Sequence, residues 1–400
     1  MSDFIKCDYT IEDLEQFRDK DGFIDLSKTG ISITKDSREK RGTAERLKNW
    51  VDFRGKKALL RGEVVDNYSI YAELIVEEIA KQIGIETAHY DLIKIKDENG
   101  IENFGVLSES IIDLDKEQLI SLHDLIGDEP ESEDIMDEID FEASTRYQFT
   151  KSKLIERLNL AGYSEEDINQ ILLDYDKRLV FYLSVLDTDK HPENISFVKE
   201  KKGNSKIRLS PNYDSEFSLL LEYEKEMGKI FVEQPFGVEM EAEVKDPKIG
   251  IIVRKEDGGW NEMWKDTLEK LIENDDVYDY YNNHIRRKID MDIILKRVED
   301  RIHVELPKVV KELAKRSYNS RNEAMEMIID GEIFPEETKQ EEIEDDISAL
   351  LNSLINSGIQ SSIRTGEQLN IGQTMEKDIK GEFVKEDKDI LDEIFPDFDN

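Results

Sequence analysis

Residues 186–197 read Leu-Asp-Thr-Asp-Lys-His-Pro-Glu-Asn-Ile-Ser-Phe, and this stretch is the most informative in the chain. It places carboxylates, a histidine and an amide in one short loop. The apolar residues 179–186 before it are typical of a helix, and the apolar residues 195–198 after it are typical of a strand. A loop between two buried elements can direct its polar side chains into a cleft. We therefore expect a functional site at this point of the fold.

A second polar stretch comes about twenty residues later, at residues 209–215, which read Leu-Ser-Pro-Asn-Tyr-Asp-Ser. Asp214 is an isolated acid at the end of a predicted strand. An aspartate, an asparagine five residues on and a later aspartate are the residue types with which phosphotransferases bind magnesium and orient a hydroxyl. We assign Asp189 the hydroxyl-orienting role, and Asn194 and Asp214 the role of metal ligands. Asp189 and Asn194 alone would also fit a solvated helix end, and the second stretch favours the site.

The composition limits the kinds of partner that the chain can have. The 400 residues carry a formal net charge of −38 at pH 7, which argues against nucleic acid or an anionic membrane as the main partner. Cys7 is the single cysteine, so a disulfide framework and a cysteine-based zinc site are excluded. No apolar run approaches the roughly 20 residues of a membrane span, and the acidic first residues do not resemble a signal peptide. A cytoplasmic location is the expectation.

The part of the chain before the first polar loop is predicted to be rich in strands. Residues 1–35 read as an N-terminal extension of short, irregular elements, with a helical turn at 12–19 and a strand at 23–26. Residues 37–43 have the composition of a mobile polar loop. Residues 36–126 are predicted to form a β-rich lobe. The elements expected in it are a hairpin at 50–53 and 57–61, a helix at 71–83 ended by Gly84, and strands at 90–96 and 103–110.

Helical periodicity dominates the later part of the chain. The acidic residues 127–150 are predicted to be an exposed connector, and residues 151–334 a helical lobe that contains both polar loops. The helices expected in this part lie at 153–160, 165–186, 260–274, 281–298 and 304–317. The predicted fold class is therefore α+β, with a small β-rich lobe, a larger helical lobe and an acidic tail.

The tail, residues 335–400, differs from the rest in composition. It contains 18 acids against 6 bases, few aromatic residues, and polar residues between short apolar clusters. Because such a segment cannot bury enough apolar surface to compensate the entropy of ordering, we predict that it is mostly disordered. Residues 347–355 and 389–395 are predicted to be short amphipathic helices that dock a partner protein.

Together, the two polar stretches resemble the catalytic loop and the metal loop of HipA-like bacterial kinases. The resemblance is carried by Asp189, His191 and Asn194, followed by Tyr213 and Asp214. That family shows Asp-x-His-x-x-Asn and then an apolar-Pro-x-Tyr-Asp stretch, and the first loop is also similar to the Asp-Arg-His-x-x-Asn loop of phosphatidylinositol kinases. The resemblance spans about residues 37–317.

This resemblance implies a two-lobed protein-kinase-like fold, with ATP and magnesium as cofactors. It implies phosphorylation of serine or threonine in a protein, either the chain itself or a partner. It also implies that Asp189 is the catalytic acid, that Asn194 and Asp214 are metal ligands, and that His191 organises the loop without binding metal.

A kinase of this kind also needs a cation on a central strand, paired with an acid on a helix. Glu73 is our candidate for the acid, with Glu77 one turn further on. Strand alternation puts Lys57 and Arg61 on the same face. Arg61 falls where the family has lysine, and its planar guanidinium differs from a compact ammonium. Whether Arg61 or Lys57 contacts the phosphates is left open.

Gly42 and Thr43, in the polar loop before the hairpin, are candidates for backbone amides that cover the phosphates, and a plain turn fits them equally well. Two other functions stay open. The missing strand lysine and the acidic tail also fit a pseudokinase, an ATP-binding scaffold that acts through its tail. A kinase of a small-molecule hydroxyl would keep the same fold, whereas a lipid surface is disfavoured by charge repulsion.

Overall fold

The computed structural model describes residues 4–31, 38–41, 44–62, 67–97, 100–126, 143–190, 192, 194–202, 207–223, 225–233, 264–286 and 289–330. All of them belong to one unit that spans residues 1–332. Several predictions fall outside these ranges, namely those on Gly42, Thr43, His191, residues 127–142 and the tail.

Seven strands of the described residues form one sheet, in the order β1-β4-β5-β7-β6-β2 with β3 paired to β4. Strands β1 and β2 run parallel to their neighbours β4 and β6, and the other pairs are antiparallel. The strands are β1 (Ile5–Cys7), β2 (Ile24–Asp25), β3 (Arg38–Arg41), β4 (Ala44–Phe53), β5 (Lys56–Gly62), β6 (Tyr90–Lys96) and β7 (Glu102–Glu109).

Residues 4–31 take part in this sheet and in its core. They contribute β1 and β2, and a 3-10 helix, Glu12–Phe17, lies between them. Leu14 and Leu26 are fully buried in one cluster with residues of β4, β5, β6 and β7. Removing these apolar side chains from water stabilises the sheet.

The prediction of a mobile loop at residues 37–43 is wrong for residues 38–41, which form β3. This strand pairs antiparallel with the start of β4, from Arg38 opposite Leu47 to Arg41 opposite Ala44. Backbone hydrogen bonds of a ladder do not depend on side-chain polarity, and charged side chains are common on strands at a sheet margin. A polar composition therefore does not exclude a strand here.

Nine α-helices lie within the described ranges, most of them after residue 142. They are α1 (Ser69–Ile83), α2 (Leu122–Ile126), α3 (Ala143–Leu160), α4 (Glu165–Ser184), α5 (Lys225–Glu233), α6 (Trp264–Ile272), α7 (Asp275–Tyr280), α8 (Met291–Ile302) and α9 (Lys308–Ile329). None of these helices combines the length and the apolar character that crossing a membrane requires.

Helix α1 confirms the helix predicted at 71–83. Its apolar residues repeat at helical spacing, and Leu74 and Ile79 are fully buried. Gly84 follows with a φ of 81° and donates its N–H to the carbonyls of Ala80 and Lys81. Glycine adopts this left-handed conformation without steric cost, which explains where the helix ends.

The prediction of one helix over 281–298 is wrong. Residues Tyr281–Ile285 form a short π-helical segment, and α8 begins only at Met291. Asp290 provides the reason, since its carboxylate accepts hydrogen bonds from the N–H groups of Asp292 and Ile293. An aspartate in this role caps the start of a new helix.

A second sheet holds the first polar loop in place. Its strands are β8 (Glu117–Ser121), β9 (Ser196–Glu200) and β10 (Arg208–Leu209), paired in the order β10-β9-β8 in the described part of the chain. The loop lies between the end of α4 and the start of β9, as the apolar runs on its two sides predict. The metal loop follows β10.

Candidate active site

Arg61 of β5 is surrounded by carboxylates. Its guanidinium pairs with Glu73 of α1 and with Asp214, and its Nε lies 3.9 Å from the Glu216 carboxylate. Arg61 is 7% exposed and Glu73 is 1% exposed. Burial alone would lower the pKa of Arg61, but Asp214 and Glu216 hold this pKa above its usual value. The structure therefore brings Arg61, Glu73 and Asp214 together, and the guanidinium carries its charge.

A glycine in the neighbouring strand allows the close packing beside Arg61. Gly105 of β7 pairs with Gly62 of β5. A Cβ atom at Gly105 would collide with the carbonyl oxygen of Arg61 and lie 2.8 Å from the Cα of Gly62. Only a residue without a side chain lets the two strands approach this closely, and this approach fixes the backbone that carries Arg61.

Lys57 lies at the other end of β5 and has a different partner. Its ammonium is 2.5 Å from the carboxylate of Asp52, which also pairs with Lys6. Hydrogen bonds from Lys57 and Lys6 hold the pKa of Asp52 below its usual range. Four residues of strand place Lys57 about 13 Å from Arg61. The structure thus brings Arg61, and not Lys57, to the carboxylates.

Glu73 contacts both strand β5 and the metal loop. One carboxylate oxygen contacts Arg61, and the other accepts the backbone N–H of Ser215 at 2.9 Å. Asp214 has a φ of 57°, a left-handed conformation that few non-glycine residues adopt, aspartate being among those that do. Its N–H donates to the hydroxyl of Tyr90 at 2.9 Å, and burial raises the pKa of that phenol. Sequence reasoning missed both Ser215 and Tyr90 as supports of this loop.

Asp189 and Asn194 contact each other across the first loop. The Asn194 amide nitrogen donates to the Asp189 carboxylate at 2.9 Å and to the Asp189 carbonyl at 2.8 Å. Asn194 is buried and Asp189 is half-buried. Because the amide nitrogen is used in these bonds, the amide oxygen is the atom of Asn194 with which it can bind a metal.

Lys190 is a buried cation that sequence reasoning missed. It is 0% exposed, and its ammonium donates to the carbonyls of Tyr213 and Asp214 and lies 3.4 Å from the Asp187 carboxylate. Burial raises the pKa of Asp187 to about 6, although Lys190 opposes this rise. The sequence does carry a signal for this pair, because Asp187 and Lys190 are charged residues in a short stretch between two apolar runs.

Glu77 supports helix α1 from a different side. Its carboxylate is 2.7 Å from Nδ1 of His89, accepts the N–H of Tyr90 at 3.1 Å and pairs with Arg301 of α8 at 2.9 Å. Burial alone would raise the pKa of Glu77, but His89 and Arg301 lower it below its usual value. Of the two candidate acids on α1, Glu73 contacts the strand cation, and Glu77 fastens the helix to β6 and α8.

The contacts of His89 with Glu77 and Asp91 predict that the stability of the protein depends on pH. The hydrogen bond to Glu77 raises the pKa of His89 above 6.5; Asp91 adds to the rise, and burial and Arg301 oppose it. A raised folded-state pKa gives stability that is complete below pH 6.5 and is lost as the pH rises through the folded value. We expect His89→Gln, which keeps a donor but does not titrate, to flatten the decline in unfolding free energy between pH 6 and 9. Urea unfolding across this range checks it, and equal slopes for both proteins would contradict it.

Three acids could together hold a metal ion. Glu73, Asp214 and Glu216 each offer a carboxylate oxygen, and these oxygens lie within 4.8 Å of one another in the part of the chain that the structure describes. Hard oxygen donors of this kind suit magnesium. Glu216 is not predicted from the sequence, although it directly follows the metal loop, two residues after Asp214.

Neither a protein-family model nor a curated protein matches the chain. Among solved structures, the Helicobacter pylori proinflammatory kinase CtkA is similar, with a TM-score of 0.53 and 12% identity, over 76% of this chain and 97% of that one. HipA of the Shewanella oneidensis MR-1 toxin–antitoxin system, solved with HipB and operator DNA, matches with a TM-score of 0.37 and 13% identity, over 74% of this chain and 66% of that one. The similarity to CtkA confirms the predicted kinase-like fold, a β-rich part followed by a helical part.

Proposed function

We propose that the chain is an ATP- and magnesium-dependent protein kinase that transfers the γ-phosphate of ATP to a serine or threonine hydroxyl, on itself or on a partner protein. The observation that carries the proposal is the pairing of Arg61 with both Glu73 and Asp214. On a kinase-like fold, these residues would serve as the strand cation, the helix acid and the metal-loop acid of a phosphotransferase cleft.

The residues of the two loops fit a magnesium nucleotide. The amide oxygen of Asn194 and the carboxylate of Asp214 would hold the metal, and Glu73 and Glu216 add hard oxygen atoms close to Asp214. When bound, magnesium offsets negative charge on the β- and γ-phosphates. Arg61 would contact the phosphates.

Asp189 would orient the attacking hydroxyl. The amide of Asn194 holds its carboxylate in place. The half-buried position of Asp189 leaves it open to a substrate at the surface of the cleft. Such positioning is most of what a protein contributes to phosphoryl transfer.

The remaining parts of the proposal come from the resemblance to HipA-like kinases and from the sequence. His191 would organise the first loop, and the backbone amides of Gly42 and Thr43 would cover the phosphates. Residues 335–400 would dock a partner protein.

Label transfer from γ-labelled ATP with magnesium, to the chain itself and to a generic protein substrate, tests the proposal. We expect Asp189→Asn to reduce the rate of transfer at least about 100-fold, because the hydroxyl loses its orienting base. Asp115→Asn, in an exposed turn, is the matched control and should retain the wild-type rate. A wild-type chain that binds no ATP in the presence of magnesium would refute the proposal.

A pseudokinase is the second candidate, and one observation favours it. The Arg61 guanidinium already pairs with two carboxylates, so it can reach a phosphate only by sharing or leaving one of them. Nucleotide binding without transfer of label, in a protein whose Asp189→Asn variant behaves like wild type, would select this alternative.

A further inference from the structure

Lys190 is a fully buried ammonium with three oxygen partners. It donates hydrogen bonds to the carbonyl oxygens of Tyr213, at 2.6 Å, and of Asp214, and it forms an ion pair with the Asp187 carboxylate at 3.4 Å. The rings of Tyr182 and Tyr213 lie 5.2 and 5.9 Å from the ammonium. Burying an ammonium without partners is strongly unfavourable, so this cation depends on these contacts.

The partners of Lys190 lie in both polar loops. Asp187 belongs to the catalytic loop, and Tyr213 and Asp214 belong to the metal loop. Lys190 directly follows Asp189, so its Cα lies about 3.8 Å from that of Asp189. A single side chain therefore links the backbone next to Asp189 to the backbone of Asp214.

Asp214 needs such support because of its conformation. Its left-handed φ of 57° is unfavourable for a residue with a side chain. Tyr90 binds its N–H, Glu73 binds the next N–H along the chain, and Lys190 binds its carbonyl. Of these three contacts, the one from Lys190 comes from the catalytic loop.

We infer that Lys190 is a positioning residue that sets the place of Asp214 relative to Asp189, and thereby the ability of the two loops to hold one magnesium nucleotide. The inference rests on the proposed function, because it requires that both loops act on the same nucleotide. Residues that orient metal ligands without touching the metal typically change metal affinity about 10- to 100-fold when they are replaced.

Calorimetric titration of ATP into wild type and Lys190→Met, with magnesium and separately with EDTA, tests the inference. We expect ATP binding with magnesium to weaken about 10- to 100-fold, and binding in EDTA to stay unchanged. A purely structural role would change both affinities alike or neither. Lys151→Met is the matched control, since Lys151 pairs with the buried Asp176 at 2.6 Å in the helical part and should leave both affinities at wild-type values.

A second variant keeps the inference testable if Lys190→Met does not fold. Lys190→Met leaves the Asp187 carboxylate buried without its cation, whereas Asp187→Asn combined with Lys190→Met removes both charges. Thermal unfolding identifies which of the two variants folds, and that variant is titrated. Wild-type affinity with magnesium, or an equal loss with and without magnesium, would overturn the inference. A wild-type protein that binds no ATP with magnesium would instead overturn the proposed function.

Discussion

Replacing Arg61 with methionine is expected to lower the free energy of unfolding by about 3–5 kcal/mol and to remove ATP binding. The change leaves Glu73 and Asp214 without the cation that both contact, and Glu73 is 1% exposed. A buried carboxylate that loses its partner is costly, because water cannot replace the lost interaction. Urea unfolding at pH 7 and calorimetric titration of ATP with magnesium measure the two effects.

Two further variants show whether the effect comes from the position of Arg61. Arg208→Met removes an arginine whose side chain is 49% exposed and pairs with Glu117 at 3.3 Å, and it should cost no more than about 0.5 kcal/mol. Arg61→Lys keeps the charge but loses the planar guanidinium group, whose two terminal nitrogens pair with Glu73 and Asp214. The stability of this variant should therefore lie between those of wild type and Arg61→Met. If Arg61→Met were as stable as Arg208→Met, the ion pairs of Arg61 with Glu73 and Asp214 would not stabilise the fold.

Asp214→Asn is expected to lower the rate of phosphoryl transfer on the order of 1000-fold or more, with little change in the fold. The asparagine has nearly the same size, and Arg61 keeps Glu73 as a partner. It removes the anionic oxygen that would bind magnesium, and phosphoryl transfer depends almost wholly on positioning and charge stabilisation. Initial rates of label transfer at saturating ATP measure the effect.

The interpretation of Asp214→Asn depends on a control and on a metal titration. Asp115→Asn should transfer label at the wild-type rate. Raising the magnesium concentration should recover part of the lost activity if the defect is weak metal binding. A near-wild-type rate for Asp214→Asn at ordinary magnesium would show that this carboxylate does not hold the metal.

The sequence predicts the parts of the fold that depend on local pattern. Helix α1 follows from apolar residues at helical spacing and from Gly84 after its last turn. The hairpin of β4 and β5 and the helix, loop and strand around Asp189 follow in the same way. Each of these signals lies within about 20 residues, so no knowledge of distant contacts is required.

The pairing of strands with distant partners could not be predicted. A strand is predicted at residues 23–26 and β2 lies within it, but its pairing with β6, more than sixty residues away, is visible only in the fold. Strand β3 is polar and becomes a strand because β4 is beside it. Strand formation is decided mainly by neighbouring strands, and composition carries little of that information.

The same reason limits what the sequence says about the site. Alternation puts Lys57 and Arg61 on one face, but only the position of Asp52, Glu73 and Asp214 in the fold assigns each cation its partner. The support by Lys190 depends on backbone carbonyls of a loop more than twenty residues away. Such contacts leave no spacing pattern in the sequence.

A crystal structure with magnesium and a non-hydrolysable ATP analogue tests the central claim most directly. We expect the metal to be bound by the carboxylate of Asp214 and the amide oxygen of Asn194, a phosphate to contact Arg61, and Asp189 to face the γ-phosphate. A nucleotide bound elsewhere, or no metal at Asp214 with Arg61 still paired to it, would contradict the account.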